Sequence, residues 1–375
     1  MTGSMTTWFA KEPLLPRNLD LEKMFVAEDQ TIHLMDANGR VHIVGTLEEL
    51  RERLRKGDND SIIYTIMSFP SRVVFCVEVE GYSHTLFMAT EKKLGFVENY
   101  RNIGRRDSRV VLEEIPSRRQ LGIKISNDVH YTGFSVDCKG RVWLMAVEGE
   151  NSYGQLFSLA KDWKQPMHRY WCPERFSGIC WSLDDKTIYI NETARKNYIL
   201  AYDFDIETGV IRMHEERIFY EFPNPTEYPL AFVIDSRDHM WCAVAGTGKI
   251  IRISPKSEVV GEIYLPDHHE PIDLQFVGNE LVILTKRNVA QEEVLLRGGT
   301  YHGLVMNAKE ASHGNIFTAD IGYTGKPGHL YNLGPEELSL LKKSRLLFEK
   351  KTGSSAEEVM DFLRTYRRRQ PSPNV

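Results

Sequence analysis

The sequence predicts an all-β fold, a six-bladed β-propeller with a C-terminal helical extension, and three observations predict it. The first is a recurring turn phrase. Asp36-Ala37-Asn38-Gly39-Arg40-Val41 returns as Asp137-Cys138-Lys139-Gly140-Arg141-Val142, and again as Asp235-Ser236-Arg237-Asp238-His239-Met240-Trp241 with Asp238 in the glycine slot. Leu183-Asp184-Asp185-Lys186-Thr187-Ile188-Tyr189 is a looser fourth copy. In each, a turn joins two β-rich runs, as a hairpin requires. The second observation is spacing. Trp143, Tyr189 and Trp241 hold equivalent places 46 and 52 residues apart, and Asp36 and Asp137 are two such periods apart, at 101 residues. The third is the content of one whole period: runs at 232–235, 240–244, 249–253 and 259–265, closed by Pro266, read as a four-stranded meander. Four-stranded units at a period of about 50 residues build a propeller. A β-sandwich with chance likeness between hairpins is the competing fold, and the persistence of the period across most of the chain argues against it.

Taken in order, residues 1–19 form an N-terminal segment and residues 20–333 hold the six units. The first contains Leu47 to Lys56, an amphipathic helix inserted between strands. The missing second copy of the phrase falls near His84 to Glu91, where Thr85 to Thr90 supplies the strand, and the last copy fits Phe276 to Thr285. The composition changes at 334. Gly334-Pro335-Glu336-Glu337 has proline in a first turn and acids at the positive end of a helix dipole. Leu340, Leu341, Leu347 and Phe348 follow at heptad spacing, and Gly353 ends that helix. Ser355-Ala356-Glu357-Glu358 is a capping box, after which Val359, Phe362, Leu363 and Tyr366 form one apolar stripe. Arg364, Arg367, Arg368 and Arg369 lead into a disordered Pro/Ser tail.

The 375 residues are 42% apolar and 26% charged, with 47 basic against 52 acidic side chains. A mildly acidic chain lacks the basic face that general nucleic-acid binding needs. No apolar run reaches the roughly 18 residues of a membrane span, and Met1 to Pro16 contains no apolar core of a secretory signal. Five scattered cysteines (Cys76, Cys138, Cys172, Cys180 and Cys242) without a CxxC pair read as reduced thiols of an intracellular, cytoplasmic protein. On that reading the sequon Asn191-Glu192-Thr193 is inert.

Other chemistry-bearing groups read as structural. His268-His269-Glu270 stands between Pro266 and Pro271 as a solvated turn, and adjacent side chains of an extended chain point to opposite faces, which suits one ion poorly. Arg297-Gly298-Gly299 lacks the strand–helix context of a phosphate loop. Cys180, beside Trp181 in an expected strand, is a small core residue. The blade Trp and Tyr residues are packing groups, and the terminal arginines are a solvated end.

From residue 178 the chain resembles the regucalcin / senescence-marker protein / gluconolactonase-like family. Gly178-Ile179-Cys180-Trp181-Ser182-Leu183-Asp184-Asp185-Lys186-Thr187-Ile188-Tyr189 carries the likeness, followed by Ala201-Tyr202-Asp203-Phe204-Asp205-Ile206-Glu207-Thr208-Gly209. Phrases around 235–255, 276–285 and 313–325 fit in order. The resemblance implies a six-bladed propeller that hydrolyses lactones or phosphoesters, with one divalent cation in the central channel polarising the substrate oxygen. It also implies a ligand set: a Glu near the first blade, an Asn in Asn-Gly-x-x-Trp-Ser, and an Asp, the general base, in Pro-Asp-Gly. This sequence departs from that set. The Asn position is Ser177 in Ser177-Gly178-Ile179-Cys180-Trp181-Ser182, and the Asp position is Leu230 in Pro229-Leu230-Ala231. Glu12 is the candidate remnant of the first ligand. The family's substrate-binding Arg-x-Asn-Asp phrase survives at best as Asn127 and Asp128 without the Arg, or, at another offset, as Tyr131-Thr132. A shifted register would let Glu227 or Asp235 act for Leu230, although Asp235 fits the blade turn better.

Two of three ligands lost leave little negative charge for a dication. The sequence therefore reads as a catalytically inactive gluconolactonase-like propeller, a protein-binding or scaffold module without a cofactor. Its partner would dock on a propeller face or on the C-terminal helices through Val359, Phe362, Leu363 and Tyr366. The alternatives are a lactone or ester hydrolase with a rearranged site holding one Ca, Zn, Mn or Mg ion, and a non-catalytic sensor of a small ligand. Neither a membrane nor a nucleic acid is expected as partner.

Overall fold

The computed structural model describes residues 5–11, 13–15, 21–36, 40–57, 64–65, 73–79, 86–90, 93–98, 109–114, 129–148, 153–159, 167–172, 176–192, 197–224, 227–266, 269–287 and 314–329. They form six separate sheets. Blade 1 runs Leu21–Val26, Ile32–Asp36, Val41–Gly45 and Tyr64–Thr65, and blade 2 runs Val73–Glu78, Leu86–Thr90, Lys93–Glu98 and Arg109–Glu114. Blade 3 is Val129–Val136, Val142–Glu148, Tyr153–Leu159 and Met167–Cys172; blade 4 is Phe176–Trp181, Thr187–Glu192, Tyr198–Asp205 and Val210–Glu221. Blade 5 is Tyr228–Ile234, Met240–Ala245, Lys249–Ile253 and Val259–Tyr264, and blade 6 keeps three described strands, His269–Val277, Glu280–Arg287 and Ile316–Asp320. Each blade is an antiparallel meander in chain order. The first strand of each is innermost, and residues from all six first strands line one axial cavity. The ring closes where the inner strands of blades 6 and 1 pack together. This is the propeller that the period predicts. The expected C-terminal helices, with the apolar stripe of Val359, Phe362, Leu363 and Tyr366, fall outside the described residues.

The recurring aspartate explains why the phrase repeats. Asp235 is fully buried. Its Oδ1 accepts the backbone N–H groups of Arg237 (2.9 Å) and His239 (3.0 Å), and its Oδ2 accepts the Trp241 indole N–H at 3.1 Å. Asp137 repeats this with Lys139 N, Arg141 N and Trp143 Nε1 at 2.9, 3.1 and 2.8 Å. In blade 1 the phrase sits one hairpin later, a correction to the reading of Asp36 and Asp137 as two whole periods apart. Asp36 ends the second strand and closes the turn to the third, holding Arg40 N at 2.9 Å and facing His42 Nε2 at 3.0 Å. One side chain thus closes the turn and anchors the ring six residues on, which needs an acid because a buried N–H without an acceptor is costly. Blade 4 places Ser182 in the aspartate slot, with Asp184 capping the Ser182 hydroxyl at 2.8 Å. Its equivalent aromatic, Tyr189, has no ring N–H to anchor. Trp143 and Trp241 are completely buried, as packing groups should be.

The inserted helix, Leu47–Lys56, follows its sequence closely. Thr46 and Glu49 form a reciprocal capping box, and Gly57 ends the helix at φ 67°. Leu47 and Leu50 are buried. On the outer side, Arg51 forks onto Glu280 of blade 6, Nη1–Oε1 2.8 Å and Nη2–Oε2 2.5 Å. That hydrogen bond holds the Glu280 carboxyl below the usual carboxylate range, against partial burial. The pair therefore stabilises the fold above the unfolded carboxylate value and fades as pH falls through the lower folded one. We expect Glu280→Gln to cost about 1 kcal/mol at pH 7, discounted for solvent screening, and almost nothing at pH 3. Urea titrations at the two pH values measure the difference.

The N-terminal segment contributes more than a leader would. Thr6–Phe9 adds to blade 5 as a fifth, outermost strand, parallel to Val259–Tyr264. The chain then crosses to blade 6, where Lys11 N and Leu14 N donate to Thr318 O (2.8 Å) and Ile316 O (2.9 Å). Asn315 clasps Leu15 on both sides, accepting its N–H at 2.9 Å and donating to its carbonyl at 3.1 Å. The segment is a strap over the outer edges of two blades.

One expectation is corrected here. His269 and Glu270 belong to the strand His269–Val277, not to a solvated turn. Their backbone pairs with Arg287 and Lys286, His269 Nδ1 lies 3.2 Å from Thr285 Oγ1, and Glu270 accepts Gly246 N–H at 2.7 Å. Pro271 does not end the strand because the ladder shifts register just beyond it.

Candidate functional site: the central channel

All six inner strands carry the same irregularity. The ladder to the second strand slips between Leu21 and Lys23, Val73 and Phe75, Tyr131 and Gly133, Phe176 and Ile179, Pro229 and Phe232, and Pro271 and Asp273. A bulge re-aims the residues it inserts. Repeated six times near the strand starts, it makes a ring of equivalent positions: Glu22, Val74, Thr132, Ser177 with Gly178, Leu230 with Ala231, and Ile272. Ser177 and Leu230, singled out in the sequence, thus fall in one structural rank. The rank's blade 1 member is Glu22, which sequence reasoning missed. Glu12, Asn127 and Asp128 lie outside the described residues. Thr132, Ser177 and Leu230 each stand 5 residues before the slot that closes the first hairpin (Asp137, Ser182 and Asp235), whereas Glu22 stands the same distance before Ala27, where no aspartate marks the turn.

The backbone of this ring is fixed by a buried carboxamide. Asn191 is fully buried; its Oδ1 accepts Gly178 N–H at 2.8 Å and its Nδ2 donates to Pro229 O (2.9 Å) and Leu230 O (3.3 Å). It ties the blade 4 bulge to the blade 5 bulge, and a side chain so engaged is no glycosylation acceptor. Gly178 permits the approach, since a Cβ there would sit 3.2 Å from Leu230 O.

Directly after the bulges come Lys23 in blade 1, Gly133 in blade 3 and Asp273 in blade 6. Lys23 Nζ faces Asp273 Oδ2 at 3.8 Å. The Asp273 carboxylate also accepts Met24 N–H and Leu274 N–H, each at 3.0 Å. Burial pushes the Asp273 carboxyl up, and the Lys23 charge opposes this. Lys23 and Asp273 are themselves part of the lining of a cavity of about 590 Å³. Residues 326–329 line its far end. There Lys326 Nζ donates to Ser182 O at 2.8 Å and pairs with Asp185. Burial pushes the His329 imidazole down.

The buried thiols among the described residues are poor nucleophiles. Cys180 lines the cavity, but burial pushes its thiol well above its ordinary value. Cys242 is raised by the same cause. The rescue of the base by Asp235 fails, because both its oxygens are engaged in the blade turn, Oδ2 additionally by Arg252 at 2.7 and 3.0 Å. Glu227 faces Lys249 at 3.8 Å. Around the ring the sequence offers one carboxylate residue, Glu22, and two hydroxyl residues, Thr132 and Ser177, a set poor in the anionic oxygens that the resemblance implies for a bound dication. Among the described residues no three His, Cys, Asp or Glu side chains are grouped to hold a metal ion. No helix among them is long and apolar enough to cross a membrane.

Comparison with known proteins bears on this geometry. Residues 22–286 match the family described as SMP-30/gluconolactonase/LRE-like region. An uncharacterized protein of Sulfolobus acidocaldarius is 34% identical over 135 residues, which are 35% of this chain and 47% of that one. Regucalcin of Xenopus laevis is 30% identical over 108 residues, 29% of this chain and 35% of the relative. The match thus spans less than half the length of these relatives. Among solved structures, a calcium-binding regucalcin from Agrobacterium tumefaciens superposes with a TM-score of 0.65 at 14% identity, covering 88% of this chain and all of that one (100%). A luciferin-regenerating enzyme gives 0.63 at 18% identity, covering 84% and 96%, and a gluconolactonase from Xanthomonas campestris 0.53 at 14%, covering 84% and 88%. At such identities these likenesses speak for the fold.

Proposed function

Because the chain belongs to the SMP-30/gluconolactonase/LRE-like family, we propose that it is a catalytically inert relative, a binding module that kept the propeller and gave up metal-dependent hydrolysis. The observation that carries this reading is the bulge ring, where Ser177 and Leu230 replace two oxygen ligands and Glu22 is the sole carboxylate. The loss of the aspartate at 230 removes the expected general base with the ligand, so binding and proton transfer fail together. The partner is read as protein. The rim of blade 5 exposes Phe9 (73%), Met5 (50%) and Tyr264 (41%), large apolar groups that favour a protein contact.

The test is turnover. With gluconolactone and with a phenyl ester, in 1 mM Ca, Zn, Mn or Mg, hydrolysis is expected to stay at the uncatalysed rate. Saturable turnover that a chelator abolishes would overturn the reading.

A second reading is favoured by the axial cavity. Its volume of about 590 Å³ lies in the range of small-molecule sites, roughly 300–1,000 Å³. A sensor that holds a small ligand without converting it would use this space.

A further inference from the structure

We infer that the channel has a resident cation of its own, the Lys23 ammonium, standing in the layer next to the bulge ring and supplying the positive charge that Asp273 requires. The inference rests on the reading that no metal is held at the ring, and it says what replaces one.

Three observations carry it. Lys23 is the residue immediately after Glu22, the blade 1 member of the ring. Its ammonium faces the buried Asp273 carboxylate at 3.8 Å across the junction of blades 1 and 6. Its side chain also reaches toward blade 3: a Cβ on Gly133 would stand 3.1 Å from Lys23 Cε, 3.4 Å from Lys23 Nζ and 2.6 Å from Met145 Cε. Glycine at 133 therefore makes the room in which the lysine lies. A buried carboxylate needs a counter-charge, and among the described residues Asp273 has two backbone N–H groups besides Lys23. The other cavity lysine, Lys326, is engaged at the far end by Ser182 and Asp185. Paired with the ammonium, the Asp273 carboxylate offers little net charge to draw a dication into the adjoining ring.

The experiment is cation rescue followed by thermal melting. Lys23→Ala removes the charge and opens the space, and its Tm is expected to fall by about 5 °C or more. Adding 5 mM propylammonium or Mn(II) should restore at least half of that fall while leaving the wild-type Tm unchanged. In Lys23→Ala/Asp273→Asn the demand for a cation is gone, and neither additive should act. Lys23→Met, which keeps the chain length, reads the charge alone: its Tm should fall, and Lys23→Met/Asp273→Asn should recover. Absence of rescue, equal rescue in the double variant, or a wild type stabilised by Mn(II) as strongly as Lys23→Ala would each overturn the inference. A wild type that hydrolyses lactone with metal defeats the functional reading instead, so the two failures are distinguishable.

Discussion

Replacing Asp235 by alanine is expected to cost about 3–5 kcal/mol, the penalty of breaking a buried ion pair from one side. The carboxylate is completely buried, and Arg252 opposite it is 6% exposed. Arg252 gives two hydrogen bonds to Oδ2, at 3.0 Å from Nε and 2.7 Å from Nη2, and its guanidinium also lies 4.0 Å from the centre of the Tyr323 ring. Removing the acid strands that guanidinium, leaves the Trp241 indole N–H without its acceptor, and frees the backbone N–H groups of the turn. Urea denaturation should show the midpoint displaced. Asp235→Ala/Arg252→Met should recover part of the loss, because the stranded charge is gone. If the single and double variants are equally unstable, the turn and indole bonds carry the cost and the ion pair does not.

Deleting residues 1–15 is expected to remove a large share of the total stability. Leu14 and Leu15 are 6% and 4% exposed and sit in the core shared by blades 1 and 6. Trp8 packs on Trp241 with ring centres 5.2 Å apart. Three such side chains contribute about 1.5–3 kcal/mol each, against about 5–15 kcal/mol for a whole domain. The deletion also takes the Leu15 carbonyl from Asn315 Nδ2 and the Leu15 N–H from its Oδ1, which keeps the Ile316 N–H at 2.8 Å. The expected result is a truncated chain that is largely aggregated on expression, with a denaturation midpoint far below wild type in whatever remains soluble. Trp8→Ala gives the graded version, folded with a lower midpoint. A truncated chain melting with the full-length protein would show that the strap contributes little.

Much of the architecture was legible in the sequence because a propeller repeats its local physics. The aspartate phrase marks a turn whose carboxylate closes it and anchors a ring, so the same chemistry recurs wherever the same turn does. The helix Leu47–Lys56 announced itself through Thr46 and Glu49, whose reciprocal bonds are local. The strand Thr6–Phe9 was not legible. It is short, it belongs to no repeat, and its partner, Gly261 to Tyr264, is about 250 residues away, a pairing that no local pattern encodes. Glu22 was missed for a related reason. A bulge inserts one residue and breaks the alternation for a single step, as across Leu21 to Met24, and one such step is not distinctive until two strands are laid side by side. Ser177 and Leu230 were found because the phrases around them resemble a family, not because their types carry chemistry.

The strap also sets a timetable. At about 5–20 residues per second, the roughly 300 residues separating Leu15 from Ile316 take about 15–60 s to leave the ribosome. The first-made stretch, with Trp8, Leu14 and Leu15, must wait that long before the surfaces that receive it exist. The disc can close only after its last blade is made, so slowing or chilling synthesis should lengthen the interval in which these greasy residues lie open to chaperones or to the wrong neighbour.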